Sequence, residues 1–317
     1  EALLHHYGIY RRQRLVRNLI NVDDIDIESV ITNIYSNTAS TNNIIEAFSM
    51  DPKGCVDIDD ALSCQQQSET EYLIGVHITD VMSRLLCDQN RILFKYISNN
   101  MTTVYAPHKR IDCLPEIWAT NILSLHESRL NYVISVFFIF NNESNEIRFD
   151  RIEKNTIHIT KNMSYDDSFD HNDMVRSLYD ITEILYNLTN NCNNDIDTTV
   201  VDYATFDTHK MIEYWMVMAN NNVGIMLSQH DIGQIPWRTH NMIEQPIENN
   251  LSQYSTIMKR LHSEAAQYTL STEIDSIPKH DSMNLEYYVH FTSPIRRGMD
   301  MLIHLQIYRY ILNEISE

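Results

Sequence analysis

Glycine is scarce in this 317-residue chain, with six in all, and neither G-x-G-x-x-G nor G-x-x-x-x-G-K-[ST] occurs. That excludes a Gly-rich cradle for a dinucleotide or for nucleotide phosphates. Cysteine is sparse and odd in number: Cys55, Cys64, Cys87, Cys113 and Cys192, with no C-x-x-C spacing. A disulfide framework or a zinc knuckle is excluded, and a reducing, intracellular compartment (cytoplasm or nucleus) is expected. The 14 histidines include no H-E-x-x-H. The longest apolar run, VISVFFIF at 133–140, falls far short of the ~20 residues of a membrane helix and reads as a buried strand, so no membrane partner is expected. The N-terminal EALLHHYGIYRRQR has no apolar signal core and begins without Met, as a piece of a longer protein would. Positive charge is in deficit: Lys and Arg total 24 against 43 Asp and Glu, a net charge of −19, which argues against a broadly basic nucleic-acid-binding surface.

What is present is enough apolar residue, 43%, to bury a sizeable core. Residues 1–45 combine Arg11, Arg12, Arg14 and Arg17 with a polar YSNTASTNN stretch and read as a lead-in or linker. From there the chain is continuously globular, with strands and helices interleaved. Strand composition marks 71–78, helical patterning marks 89–98, and apolar residues at 212, 215, 216, 219, 223, 226 and 227 place one buried face on a long helix over 206–229. Ser293-Pro294 carries an N-cap residue followed by proline, which predicts a helix starting there and running to about Ile315. No internal repeat and no linker divides the globular part, so the class is mixed α/β.

Two constellations carry chemistry. The first is DPKGCVDIDDAL at 51–62, with Asp51, Asp57, Asp59 and Asp60 within ten residues. Like charges so close raise one another's pKa unless a cation compensates them. Hard dications such as Mg²⁺ take oxygen ligands, usually one or two carboxylates with water and substrate phosphate. Two such ions ~3.5–4 Å apart suit phosphodiester hydrolysis. An EF-hand loop is excluded, because no alignment places both the glycine and the final glutamate it needs. The second constellation is HFTSPIRRGMDMLIH at 290–304. There Arg296 and Arg297 fall in the first turn of the expected helix, where basic side chains oppose the dipole and suit a phosphate. Arg297 is also spaced to pair with Asp300 one turn on.

These two segments resemble the catalytic signatures of the ribonuclease II superfamily, the RNB domain proteins. Further segments agree in the same order: YLIGVHITDV (72–81), TTVYAPHKRIDCLPE (102–116), LSLHESRLNYVISVFF (123–138), HKMIEYWMVMANNNVG (209–224) and PWRTH (236–240). The resemblance covers about 46–310. It implies a single α+β catalytic domain over 46–317, C-terminally short, with a mixed sheet packed by helices around an RNA channel. The implied activity is Mg²⁺-dependent hydrolysis of single-stranded RNA from its 3′ end to nucleoside 5′-monophosphates, with two ions during catalysis and Mn²⁺ as a substitute. Asp51, Asp57 and Asp60 are the implied metal ligands. Asp59 would order a metal-bound water or complete the site, and Arg296 would stabilise charge on the scissile phosphate. Tyr105 would stack on a terminal base. Tyr165 and Glu213 would read the terminal nucleotide and its ribose, whose 2′-hydroxyl separates RNA from DNA. Lys109, Arg110, Arg238, Arg296 and Arg297 would line the channel and bring positive charge inside an acidic exterior. Weak, salt-sensitive binding to long RNA follows.

The chain departs from the family pattern in two places. Gly298 stands where a tyrosine usually follows the paired arginines, inside the expected helix at a cost of roughly 1 kcal/mol. Leu305 stands where an arginine usually follows the later histidine. The cold-shock and OB-type barrels of the family are not in this sequence, so either a longer product or a protein partner would supply them. The alternative function is a catalytically weak or inactive RNB-like protein that binds RNA or a partner. Such a protein would be expected to lose aspartates first, and all four are present.

Overall fold

The computed structural model describes residues 44–87, 92–106, 108–169, 172–192, 206–230, 234–241, 266–271 and 276–314. The expected lead-in lies outside the described residues except at 44 and 45.

Five strands make the frame: β1 (Ile45–Asp51), β2 (Asp60–Gln66), β3 (Glu71–Thr79), a long strand Leu130–Asn141 and a longer one Glu146–Ser164. The apolar run at 133–140 forms most of the fourth strand, as its composition predicts. β1–β2–β3 and the next two strands pair antiparallel in order, and the fifth strand returns to pair parallel with β1, closing a barrel. Local pattern identifies a mixed sheet. Its closure comes from the 19-residue fifth strand, which pairs with the fourth strand as far as His158 and with β1 from Ile157 onward.

Successive side chains of a strand face opposite ways. One set, including Phe48, Leu62, Ile74, Val76, Ile134, Val136 and Phe138, shares a continuous core with helical residues such as Trp215 and Val223. The other set, Ala47, Ala61, Val133, Ile157 and Ile159, forms a separate small cluster and lines the barrel interior. On the same face as its pairing partner Ala61, His77 is wholly buried with Nδ1 2.7 Å from Ser135 Oγ and Nε2 2.8 Å from Ser63 Oγ. Gly75 makes that space, since a Cβ there would sit 2.5 Å from His77 Nε2.

Helices α1 (Val81–Cys87), α2 (Ile92–Asn99), α3 (Asp173–Cys192) and α4 (Thr208–Ser228) follow, with a short hairpin of β4 (Val104–Ala106) and β5 (Lys109–Ile111) between α2 and the fourth strand. α4 matches the expected apolar stripe and starts where Asp207 caps it, the carboxylate accepting Lys210 N–H at 2.9 Å. The last helix, α5 (Gly298–Glu314), begins later than Ser293-Pro294 predicts. Residues 294–296 form a turn instead, because Ile295 N–H and Ser293 N–H are drawn to Asp59 and Asp300, 2.7 and 2.8 Å away. Arg296 and Arg297 therefore precede the helix. Gly298 opens α5, so the interior-helix cost does not apply. Its N–H donates to Met101 O at 2.8 Å, and a Cβ there would meet the Met101 side chain.

Candidate active site

β1 ends at Asp51 and β2 begins at Asp60, so antiparallel pairing brings both carboxylates to one end of the barrel. A Pro52–Cys55 turn, with Gly54 at φ 84°, carries the chain across. That positive φ favours glycine. Asp51, Asp57, Asp59 and Asp60 all line one cavity of about 850 Å³.

Asp59 ties the two signature segments together across 236 residues of sequence. Its Oδ1 accepts Ile295 N–H at 2.7 Å, and its Oδ2 lies 3.9 Å from Arg296 Nε. The arginine turn is pinned from a second side as well, where Thr103 N–H donates to Arg296 O at 2.9 Å. Arg296 Nη2 donates to Ser293 Oγ at 2.9 Å, and the guanidinium stays 44% exposed toward the cavity. Arg297 is spent differently. Its Nη2 donates to Asp300 Oδ2 at 2.7 Å, and Asp300 is fully buried.

Three carboxyls of the cluster, Asp51, Asp59 and Asp60, are pushed above the ordinary carboxylate range. Burial, then repulsion from Asp57, pushes Asp51 up to about 6. Burial, then repulsion from Asp51, pushes Asp60 up to about 8. Burial also raises Asp59 well above the ordinary carboxylate range, against Ile295 N–H and Arg296. Asp51 Oδ2 is buried with no hydrogen-bond partner. Two hard, partly uncompensated carboxylates fit a divalent cation that completes its shell with water and phosphate. Among the described residues, no three His, Cys, Asp or Glu side chains converge as a ready-made cage. Asp57 is engaged elsewhere: Arg110 Nη1 donates to it at 2.9 Å and Tyr105 Oη at 3.3 Å.

The other predicted residues divide. Tyr105, 60% exposed at the cavity rim, Tyr165 and Glu213 line the cavity with Arg296 and Arg297. Lys109, Arg110 and Arg238 are not among its lining residues. Arg110 bridges Asp57 and Asp112, while Arg238 stacks over the Tyr268 ring at 4.9 Å. Sequence reasoning missed His209, which stacks on Tyr165 with ring centroids 3.8 Å apart, and also Asn220, Tyr288, His290 and Thr292 on the cavity wall. A signal for the last four was available. Tyr288-Val-His-Phe-Thr292 alternates polar and apolar residues, and Asn220 interrupts the apolar stripe of α4.

A profile of the RNB domain matches residues 41–313. Ribonuclease R of Chlamydia pneumoniae is 26% identical over 326 residues, which cover 85% of this chain and 46% of that protein. The fold is similar to Mycoplasma genitalium RNase R in complex with ribose methylated single-stranded RNA, with a TM-score of 0.66, 20% identity and coverage of 92% of this chain and 55% of that one. It is also similar to yeast Ssd1, a pseudonuclease, with a TM-score of 0.67, 16% identity and coverage of 86% and 40%. The chain spans about half the length of the relatives it matches. With the profile running through nearly all of the described fold, the chain belongs to the RNB domain family.

Proposed function

We propose that this chain is the catalytic domain of a hydrolytic 3′–5′ exoribonuclease that uses Mg²⁺ and releases nucleoside 5′-monophosphates from single-stranded RNA. The observation that carries it is the tie between Asp59 and the 295–296 turn, which sets a partly exposed guanidinium beside a buried acidic cluster in one cavity. A carboxylate cluster alone is a common surface feature. One facing an arginine that remains partly exposed to the cavity is suited to a phosphodiester.

Asp51 and Asp60 would hold the cation, with Asp57 joining them on release from Arg110. When bound, Mg²⁺, as one ion or two, supplies positive charge against the scissile phosphate and its attacking and leaving oxygens. Arg296 donates to the non-bridging oxygens as charge builds there. Asp59 orients the turn that carries Arg296. Tyr105 offers an exposed ring at the rim for a terminal base. One face of Tyr165 is covered by His209, leaving the other for a nucleotide. Glu213, held by Lys210 Nζ at 2.7 Å, is a carboxylate acceptor for a ribose hydroxyl.

The named relatives support the substrate class, as ribonucleases. A protein partner supplying further RNA-binding barrels belongs to the same proposal. So does a reducing intracellular setting, supported by the free thiols of Cys55, Cys64 and Cys113. A second reading, RNA binding without cleavage, draws on the absence among the described residues of a ready-made three-ligand cage. The two separate on 5′-labelled single-stranded RNA with Mg²⁺. The proposal expects a ladder shortening from the 3′ end that Asp60→Asn abolishes. Binding without shortening in the unaltered protein overturns it.

A further inference from the structure

The side chains of the stretch leading into the arginine turn divide between the core and the cavity wall. Val289 and Phe291 are fully buried in the core, while Tyr288, His290 and Thr292 turn to the cavity. The row ends beside Ser293 and Arg296, which line the same cavity.

Asn220 of α4 decides how the row presents its hydrogens. Asn220 Oδ1 accepts Phe291 N–H at 2.7 Å, and a backbone N–H can only donate, so the amide's orientation is fixed. Asn220 Nδ2 then directs its two hydrogens at Tyr288 Oη and Thr292 Oγ1, each 3.3 Å away. An amide NH₂ has hydrogens to give and nothing to accept with. Both hydroxyl oxygens are therefore acceptors toward Asn220, and both O–H hydrogens are left to donate into the cavity. His290 completes the pattern. Its Nδ1 lies 2.7 Å from Tyr268 Oη. A phenol is the stronger donor of that pair and imidazole the stronger acceptor, so the ring proton sits on Nε2. Burial, with Arg297, Arg238, His280 and Arg296 nearby, keeps this ring neutral.

We propose that Tyr288, His290 and Thr292 form a neutral donor rail for the phosphodiester backbone of the RNA strand just upstream of Arg296, with Asn220 as its positioning residue. The row offers three donors and is continuous with a cationic turn, which suits the phosphates of a polyanion. It also gives a chain of net charge −19 a way to hold phosphates without added cations. The inference rests on the exoribonuclease reading and deepens it.

The test measures Kd for a fluorescent oligoribonucleotide by anisotropy in EDTA, so that hydrolysis does not intervene. Tyr288→Phe and Thr292→Val each weaken binding by about 5- to 10-fold, the scale of a hydrogen bond to a charged group. Asn220→Asp weakens it further, because a carboxylate accepts both hydroxyl hydrogens and turns them away from the cavity. A second oligonucleotide carries uncharged methylphosphonates at its last three linkages, and on it the two hydroxyl deletions shrink to within about twofold. Unchanged Kd in both deletions, or equal weakening on both probes, overturns the rail. Should Asn220→Asp fail to fold, as a circular dichroism melt would show, the hydroxyl deletions decide alone. Shortening of RNA by the unaltered protein in Mg²⁺ with deletions that bind normally rejects the rail and keeps the nuclease. Rail-dependent binding without any shortening does the reverse.

Discussion

Arg296 and Arg297 are adjacent, yet the structure gives them different work. Arg296 is 44% exposed and reaches Asp59 only at 3.9 Å, so its charge is available to a substrate. Arg297 neutralises a fully buried Asp300, whose Oδ2 also accepts Ser293 N–H. Removing one member of a buried pair strands the other, at a cost of about 3–5 kcal/mol. Arg297→Ala is accordingly expected to lower unfolding free energy by about 3 kcal/mol in urea. Arg296→Ala should shift it by less than about 1 kcal/mol while reducing kcat on RNA by about 10²–10³-fold. Equal destabilisation by the two would contradict this division. His77 offers a separate test through pH. It is wholly buried between Ser63 and Ser135, and burial lowers its pKa from 6.5 to about 3. The unfolded chain thus takes up a proton that the folded chain refuses. The stability His77 contributes is complete above about pH 6.5 and is lost as pH falls toward 3, at about 1.4 kcal/mol per pH unit. Urea midpoints collected between about pH 7 and pH 5 should fall more steeply in the unaltered protein than in His77→Gln. Parallel curves would mean that another group titrates.

At the scale of elements, α4 carries His209 and Glu213 in its first two turns and Asn220 further along, so one helix supplies three residues of the cavity wall. Asp207 caps it. Asp207→Ala should cost about 1 kcal/mol of stability and fray the turn bearing His209 and Glu213, raising KM for RNA more than it lowers kcat. A lowered kcat at constant KM would place Asp207 elsewhere in the mechanism. The contrast between α4 and α5 shows what local pattern can reveal. The α4 stripe was legible because its signal lies within one element and nothing outside competes. Ser293-Pro294 carries an equally good local signal, yet α5 starts at Gly298. The competing groups, Asp59 and Asp300, reach the turn through its backbone N–H groups, and Asp59 is 236 residues distant in sequence. Barrel closure was hidden for the same reason, since the parallel pairing of Ser164 with Asp51 leaves no mark on either neighbourhood. The aspartates and Arg296 were legible because residue type and spacing alone announce their chemistry. Arg110 and Arg238 were read as channel cations, and only the fold reveals Asp57, Asp112 and Tyr268 beside them.

For the whole molecule the governing quantity is charge. A chain at −19 repels RNA at long range, and two arginines near the site are paired with acids. Arg110 is paired with Asp57 and Asp112, and Arg297 with Asp300, which leaves Arg296 and Lys53 as the cations available at the cavity. Binding to single strands releases counterions in proportion to the phosphates neutralised, with a slope of log K against log salt near −0.7 per contact. One or two such contacts predict a slope of only about −1, shallower than the salt sensitivity that the sequence alone suggests. Neutral donors such as Tyr288 and Thr292 add affinity without steepening it. An anisotropy titration of a single-stranded RNA from low to physiological salt should therefore show weak binding that declines gently. Bound divalent cations should strengthen it by cancelling the Asp51–Asp60 charge. A steep slope, near −4 or beyond, would require a basic surface that the described residues do not present at the cavity, and would move the principal RNA contacts away from it.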